Sequence, residues 1–177
     1  MTVINSVREV ISLPINGLTN SAQPVMGYNY GAGQYGRVKR AIIFMSVVSI
    51  AYTTLMWGLV HSFPGFFIRV FNHEGDWVSA GIPAMQIYYF GFFMMSLQFA
   101  GQSVFVALGK SKNAVFFSIF RKVIIVIPLI LVLPHLFDLG IRGIFMAEPI
   151  SNFVGGAACF GTMLVTVWPE LGERKTG

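Results

Sequence analysis

The chain is 177 residues long, 55% hydrophobic and only 11% charged, with 17 Phe and a mean hydropathy of +0.69. A soluble domain carries about 25% charged residues, so too few polar side chains remain to clothe one, and the composition is that of a membrane protein. The single Cys159 excludes an intrachain disulfide framework and a Cys-based zinc site, and the meaning of the net charge of +5 depends on where the cations fall.

A helix needs about 20 mostly apolar residues to cross the hydrocarbon core of a bilayer. The first candidate, about 3–26, has poor hydropathy. It is no cleavable signal peptide, because Asn5, Arg8 and Glu9 stand where an apolar core should begin. At about 100° per residue, Asn5, Arg8, Glu9, Ser12, Asn16, Thr19, Asn20 and Gln23 fall within an arc of roughly 120°. Val3, Ile4, Val7, Val10, Ile11, Ile15, Leu18 and Val25 lie outside it. A soluble amphipathic helix gives the same wheel. Tied by a short turn to a membrane span, however, the stripe has to face other helices or a water-filled cavity, and a cavity is the reading we adopt. Pro14 and Pro24 predict a kink.

Next comes QPVMGYNYGAGQYGRVKRA, residues 23–41, which predicts a Gly-rich, basic loop over 27–40. Spans are predicted over about 39–63, 81–108, 115–135 and 142–167, separated by Pro64-Gly65 and Asn72 to Asp76, then Gly109 to Asn113, then Pro134 to Gly140. In 81–108, Ala84, Tyr88, Gly91, Met95, Gln98 and Gln102 share a face. The helix 115–135 has no polar stripe after Lys122 and reads as lipid-facing or packing. In 142–167, Glu148, Asn152, Gly155, Cys159, Thr162 and Thr166 share a face. Glu148 is the one clear carboxylate inside an apolar span. A buried carboxylate takes a proton or a partner, which makes it a candidate for ion coupling or substrate contact. The bland reading is an interfacial residue paired with Arg142 or a backbone amide.

If five helices alternate, Arg37, Lys39, Arg40, Lys110, Lys112, Arg121, Lys122, Arg174 and Lys175 fall on one side. Arg69 and Arg142, with Glu74, Asp76 and Asp138, fall on the other. Positive residues favour the cytoplasm, so the Gly-rich turn and the C-terminus are expected inside a multi-pass protein of the plasma (inner) membrane. Cations spread this way are a topology signal and no nucleic-acid surface. The GKS at 109–111 lacks the glycine a P-loop needs at position 104, which is Val104. Gly27, Gly31, Gly33 and Gly36 form no dinucleotide fingerprint after a strand. His61, His73 and His135 share no metal-ligand spacing. No nucleophile, base and orienter set is visible, so neither a metal, a cofactor nor catalysis is expected.

Residues 23–41 closely resemble the segment joining the eighth and ninth helices of the MATE (multidrug and toxic compound extrusion) transporters, especially their MepA-like branch. FAGQSVFVALGKSKNAVFFSIFRKVIIVIPLILVLPHLFDLGIRGIFMAEPISNF resembles that branch's tenth to twelfth helices. The resemblance covers about Val3 to Trp168. It implies an all-α integral membrane fold, with about five transmembrane helices forming most of the C-terminal lobe of a twelve-helix bundle. Residues 1–168 would be the lobe fragment and 169–177 a cytoplasmic tail. It further implies export of drugs or toxic organic cations in exchange for H⁺ or Na⁺ by alternating access. The first lobe would come from the same gene or a separate chain. The NorM-like branch has an acidic residue in its tenth helix, and 81–108 contains no Asp or Glu, so that coupling site does not transfer. Candidate cavity residues are Asn16, Asn20, Gln23, Tyr88, Met95, Gln98, Gln102 and Asn152, with Glu148 the ion-coupling candidate. Two alternatives remain at this point. One is a non-transporting fragment. The other is a lipid-linked oligosaccharide flippase, disfavoured because only Arg8 among the cations lies on a cavity face.

Overall fold

The computed structural model describes residues 2–71, 75–135 and 141–173, all helix and turn with no strand among them. The helices are α1 (Thr2–Gly31), α2 (Tyr35–Ser62), α3 (Pro64–Phe71), α4 (Gly75–Tyr89), α5 (Phe92–Ala107), α6 (Ser111–Ile119), α7 (Ile127–Val132) and α8 (Ile141–Glu173), and a π-helical segment, Phe120–Val126, joins α6 to α7. Residues Tyr35–Ser62, Ser111–Val132 and Arg142–Gly172 are long and apolar enough to cross a membrane, and Gly81–Tyr89 with Phe92–Ala107 makes a fourth such span, bent by 43°. Helix α1, at 30 residues, is long enough, and its polar stripe is what lowers its hydropathy. His73, Glu74, Asp138, Arg174 and Lys175 lie outside the described residues, as does the side chain of Asp76.

Three expectations need correction. The segment 27–40 is hardly a loop: α1 runs through Gly27 to Gly31, α2 starts at Tyr35, and Gly33 alone takes the left-handed conformation, at φ +69°. Gly27 stays helical because the helix passes close to α5 there; a Cβ on it would sit 3.0 Å from the Ala107 carbonyl oxygen. Arg37, Lys39 and Arg40 therefore belong to the start of α2. Second, 81–108 is two helices broken at Phe90-Gly91, with Gly91 at φ +80°. Third, the last helix, expected to end near residue 167, continues to Glu173.

Helix α5 lies at the centre, packed on α1, α2, α6 and α8. Apolar side chains gather into two cores. One joins Met26, Val38, Ile42, Phe105, Met163 and Val167. The other joins Ile4, Val7, Ile11, Met85, Tyr89 and Phe92. Between them along α1, α2, α5 and α8 is a polar layer: Thr19, Ser46, Ser49, Thr53, Gln98, Ser103, Ser151 and Asn152 are all buried. Buried hydroxyls need partners. Thr19 donates to the Ile15 carbonyl at 2.9 Å, Thr53 to Ser49 at 2.8 Å, and Ser103 crosses from α5 to the Thr19 carbonyl of α1 at 2.9 Å. Outward, Phe44, Val47, Leu55, Phe116, Ile124, Leu131, Val154 and Val165 are exposed, an apolar surface suited to lipid.

The ends of four helices are tied together at one end of the bundle. Tyr30 donates to Glu170 at 2.7 Å, and Lys110 pairs with the same carboxylate. Lys39 sits 5.0 Å from the centroid of the Trp168 ring.

Candidate functional site

The apolar side of α1 explains where its polar side ends up. Ile4, Val7, Ile11 and Ile15, spaced three or four apart, are buried against the rest of the bundle. This turns Asn5, Arg8, Glu9, Ser12 and Asn16 outward, onto a cavity of about 1020 Å³. Tyr88 of α4, Met95, Gln98 and Gln102 of α5, and Glu148 of α8 line its other side. Arg121 and Lys122 of the π segment line it as well.

An ion-paired cluster sits on its wall. Glu148 Oε1 accepts from Arg8 Nη1 at 2.8 Å and from Arg121 Nη2 at 2.5 Å. Arg121 Nη2 also donates to Asn152 Oδ1 at 2.6 Å, and its Nε reaches Ser151 Oγ at 3.4 Å. Glu148, Ser151 and Asn152, at i, i+3 and i+4, share one face of α8. The Glu148 and Arg121 side chains are 14% and 12% exposed, and that of Arg8 is 31%. The charge of Glu148 is thus compensated by two guanidiniums from different elements, and neither Arg142 nor a backbone amide is the partner. Nearby, Tyr88 donates to Asn5 Oδ1 at 3.0 Å, and Gln102 to Ser118 Oγ at 2.9 Å. Gln98 Oε1 is buried without a hydrogen-bond partner among the described residues.

Of the candidate residues, Asn16, Tyr88, Met95, Gln98, Gln102 and Glu148 line the cavity. Asn152 lies behind its wall, buried under Arg121. Asn20 and Gln23 are not among the lining residues; they sit further along α1, 3.4 Å apart through their amides. Arg121 and Lys122 correct the sequence reading once. Beyond Lys122 the cavity wall is apolar, with Val123, Val126, Ile127 and Ile130, but Arg8 is not the only cation on a cavity face. A shortage of cations therefore no longer disfavours an anionic passenger. Arg121 was masked by the basic residues around it. The available signal was its depth, ten residues past the start of the span at Ser111.

Lipid-facing helices thus surround a polar, charged cavity, and the proteins this chain resembles are transporters. The chain belongs to the MatE family, whose sequence model matches residues 1–132. It is 25% identical over 157 residues to the FAD transporter of Shewanella oneidensis (strain MR-1), a match that covers 87% of this chain and 34% of that protein. The structure of the MATE multidrug transporter DinF-BH in complex with rhodamine 6G is 31% identical, with a TM-score of 0.79, over 92% of this chain and 35% of that one. A MATE crystal structure in the bent conformation superposes with a TM-score of 0.90 at 15% identity, over 99% of this chain and 38% of the other, and shares the fold. The chain spans little more than a third of the length of these relatives.

Proposed function

We propose that the chain is the C-terminal portion of a cation-coupled antiporter that exports small organic compounds by alternating access. One observation carries this reading. In an otherwise lipid-facing bundle, α1 turns a polar face onto a cavity large enough for a drug-sized molecule, which takes about 300–1,000 Å³. A face of that kind in lipid would cost several kcal/mol per unsatisfied group, so it needs a facing protein surface, and an N-terminal lobe would supply it. Binding between two such bodies, with an ion biasing which side is open, is the logic of alternating access. H⁺ or Na⁺ is the coupling ion and Glu148 its candidate site, with Arg8 and Arg121 as the cations a transition would have to repartner. Tyr88 and Met95 offer adaptable surface to a cationic passenger, a class supported by the dye-bound relative, while the FAD transporter extends the range of passengers to consider. We place the protein in the plasma (inner) membrane, with the turn at Ala32 to Gln34 and the C-terminus on the cytoplasmic side.

The test is gradient-driven transport. The full-length protein carrying this chain, in liposomes, is expected to move a cationic dye when a pH or Na⁺ gradient is imposed and to stop when the gradient collapses. The chain by itself is expected to move none. Dye movement indifferent to both gradients would sink the antiport reading.

A further inference from the structure

The cavity holds more positive charge than its carboxylates balance. Arg8, Arg121 and Lys122 line it, against Glu9 and Glu148, and both arginines converge on a single oxygen of Glu148. The two guanidiniums are not equivalent. Arg121 is fixed by Glu148, Asn152 and Ser151 and is nearly buried. Arg8 gives one bond to Glu148, lies within hydrogen-bonding reach of the Tyr88 hydroxyl and keeps 31% of its side chain exposed on a residue that faces the cavity. A guanidinium presents five N–H donors in a planar fork that suits carboxylate or phosphate oxygens. Apolar wall surrounds this charge: Leu13, Phe99, Val123 and Ile127 also line the cavity.

We propose that Arg8, backed by Arg121, forms an oxyanion-binding subsite of the cavity, and that the passengers it selects carry a carboxylate or phosphate on an apolar or aromatic body. In this arrangement Glu148 is the internal oxyanion that keeps the two guanidiniums together, and the passenger's acidic group competes with it for Arg8. Leu13, Phe99 and Val123 take the organic body. Lys122, exposed and one residue from Arg121, adds attraction without geometry, as a point charge does. The proposal rests on the transport reading for the role of the cavity, but it is tested by binding rather than movement.

The experiment uses two dyes built on one ring system: fluorescein, which carries a carboxylate, and rhodamine 6G, a cation whose carboxyl is esterified. Binding of each to the detergent-solubilised full-length protein is read by fluorescence polarisation. Wild type is expected to bind both. Arg8→Gln is expected to lower the ratio of fluorescein to rhodamine 6G affinity by about tenfold or more, the scale of one hydrogen bond to a charged group. Glu148→Gln, which removes the competing oxyanion, is expected to raise the ratio. Should Arg8→Gln fail to fold, Arg8→Lys keeps the charge but loses the fork, and it is expected to lower the ratio by about threefold. Displacement of bound fluorescein by inorganic phosphate marks a soluble anion as the occupant, and displacement by phosphatidylglycerol added to the micelles marks a lipid headgroup; either supports the subsite. An unchanged ratio in the Arg8 variants, or no fluorescein binding to wild type, overturns it. That result, with gradient-driven dye transport intact, would leave the transport reading standing.

Discussion

Arg121 and Arg8 bind the same carboxylate oxygen, yet their removal should not be equivalent. Breaking a buried ion pair from one side costs about 3–5 kcal/mol when the remaining charge has no other partner, but here Glu148 keeps one guanidinium whichever arginine is removed. Arg121→Leu also strips Asn152 and Ser151 of their donor, at a side chain only 12% exposed. Arg8 retains more water and is held by fewer buried groups. Arg121→Leu is therefore expected to destabilise the full-length protein by about 1–3 kcal/mol, the cost of leaving buried acceptors unpaired, and Arg8→Leu by clearly less. Thermal unfolding in detergent checks this; equal losses, or the reverse order, would show that Arg121 is no better buried than Arg8. Glu148 was legible in the sequence because a lone carboxylate in an apolar run has no bland company. Arg121 was not, because Lys110, Lys112 and Lys122 around it make any cation there look like part of a topology signal. Arg121 and Lys122 both reach the cavity from within the π segment, whose wider turns offset the register of the helix, and nothing in the amino-acid pattern announces that offset.

At the scale of the element, the break between α4 and α5 has a local chemical cause. Gly91 holds φ +80°, a region that costs other L-residues roughly 1–2 kcal/mol, and a Cβ there would overlap the Phe153 ring of α8. Gly91→Ala is expected to lose both contributions and to lower the unfolding temperature. Adding Phe153→Ala should return the part due to the clash and leave the part due to φ. If the double variant recovers fully, the backbone conformation carries no cost and the bend is not set by this glycine. Hydropathy gave the four apolar spans to within a few residues, since lipid exposure writes itself directly into composition. It gave neither this break nor the helical course of Gly27 and Gly31. At Gly91 and Gly27 a neighbouring helix lies close enough to exclude a Cβ, which no amino-acid pattern shows, and at Gly31 the propensity of glycine argues for a loop although nothing packs on it.

For the molecule as a whole, the gathering of Tyr30, Lys39, Lys110, Trp168 and Glu170 at one end brings the α1–α2 turn, the α5–α6 turn and the end of α8 to one membrane surface. Their surrounding cations, Arg37, Arg40 and Lys112, predict that this surface is cytoplasmic. In a Cys159→Ala background, cysteines at Gln34 and Ser111 should be shielded from a membrane-impermeant thiol reagent in intact cells. One at Ser62, at the far end of α2, should be labelled. Labelling of Gln34 from outside would invert the orientation.

The polar layer between the two apolar cores has a mechanical consequence. Each core is a close-packed block that resists deformation, whereas across the waist Ser103 reaches the Thr19 carbonyl while Ser46 Oγ, Ser49 Oγ and Gln98 Oε1 have no hydrogen-bond partner among the described residues. Backbone irregularities fall along the same stretch: Pro14 in α1, Pro149 in α8 and the π turns from Phe120 to Val126, each of which disturbs the regular ladder and softens a helix against bending. Compliance is thus concentrated at the level of the cavity. A load on either end would flex the molecule there, and the Arg8–Glu148–Arg121 cluster, which joins three separate helical segments beside it, would be drawn into the flexure.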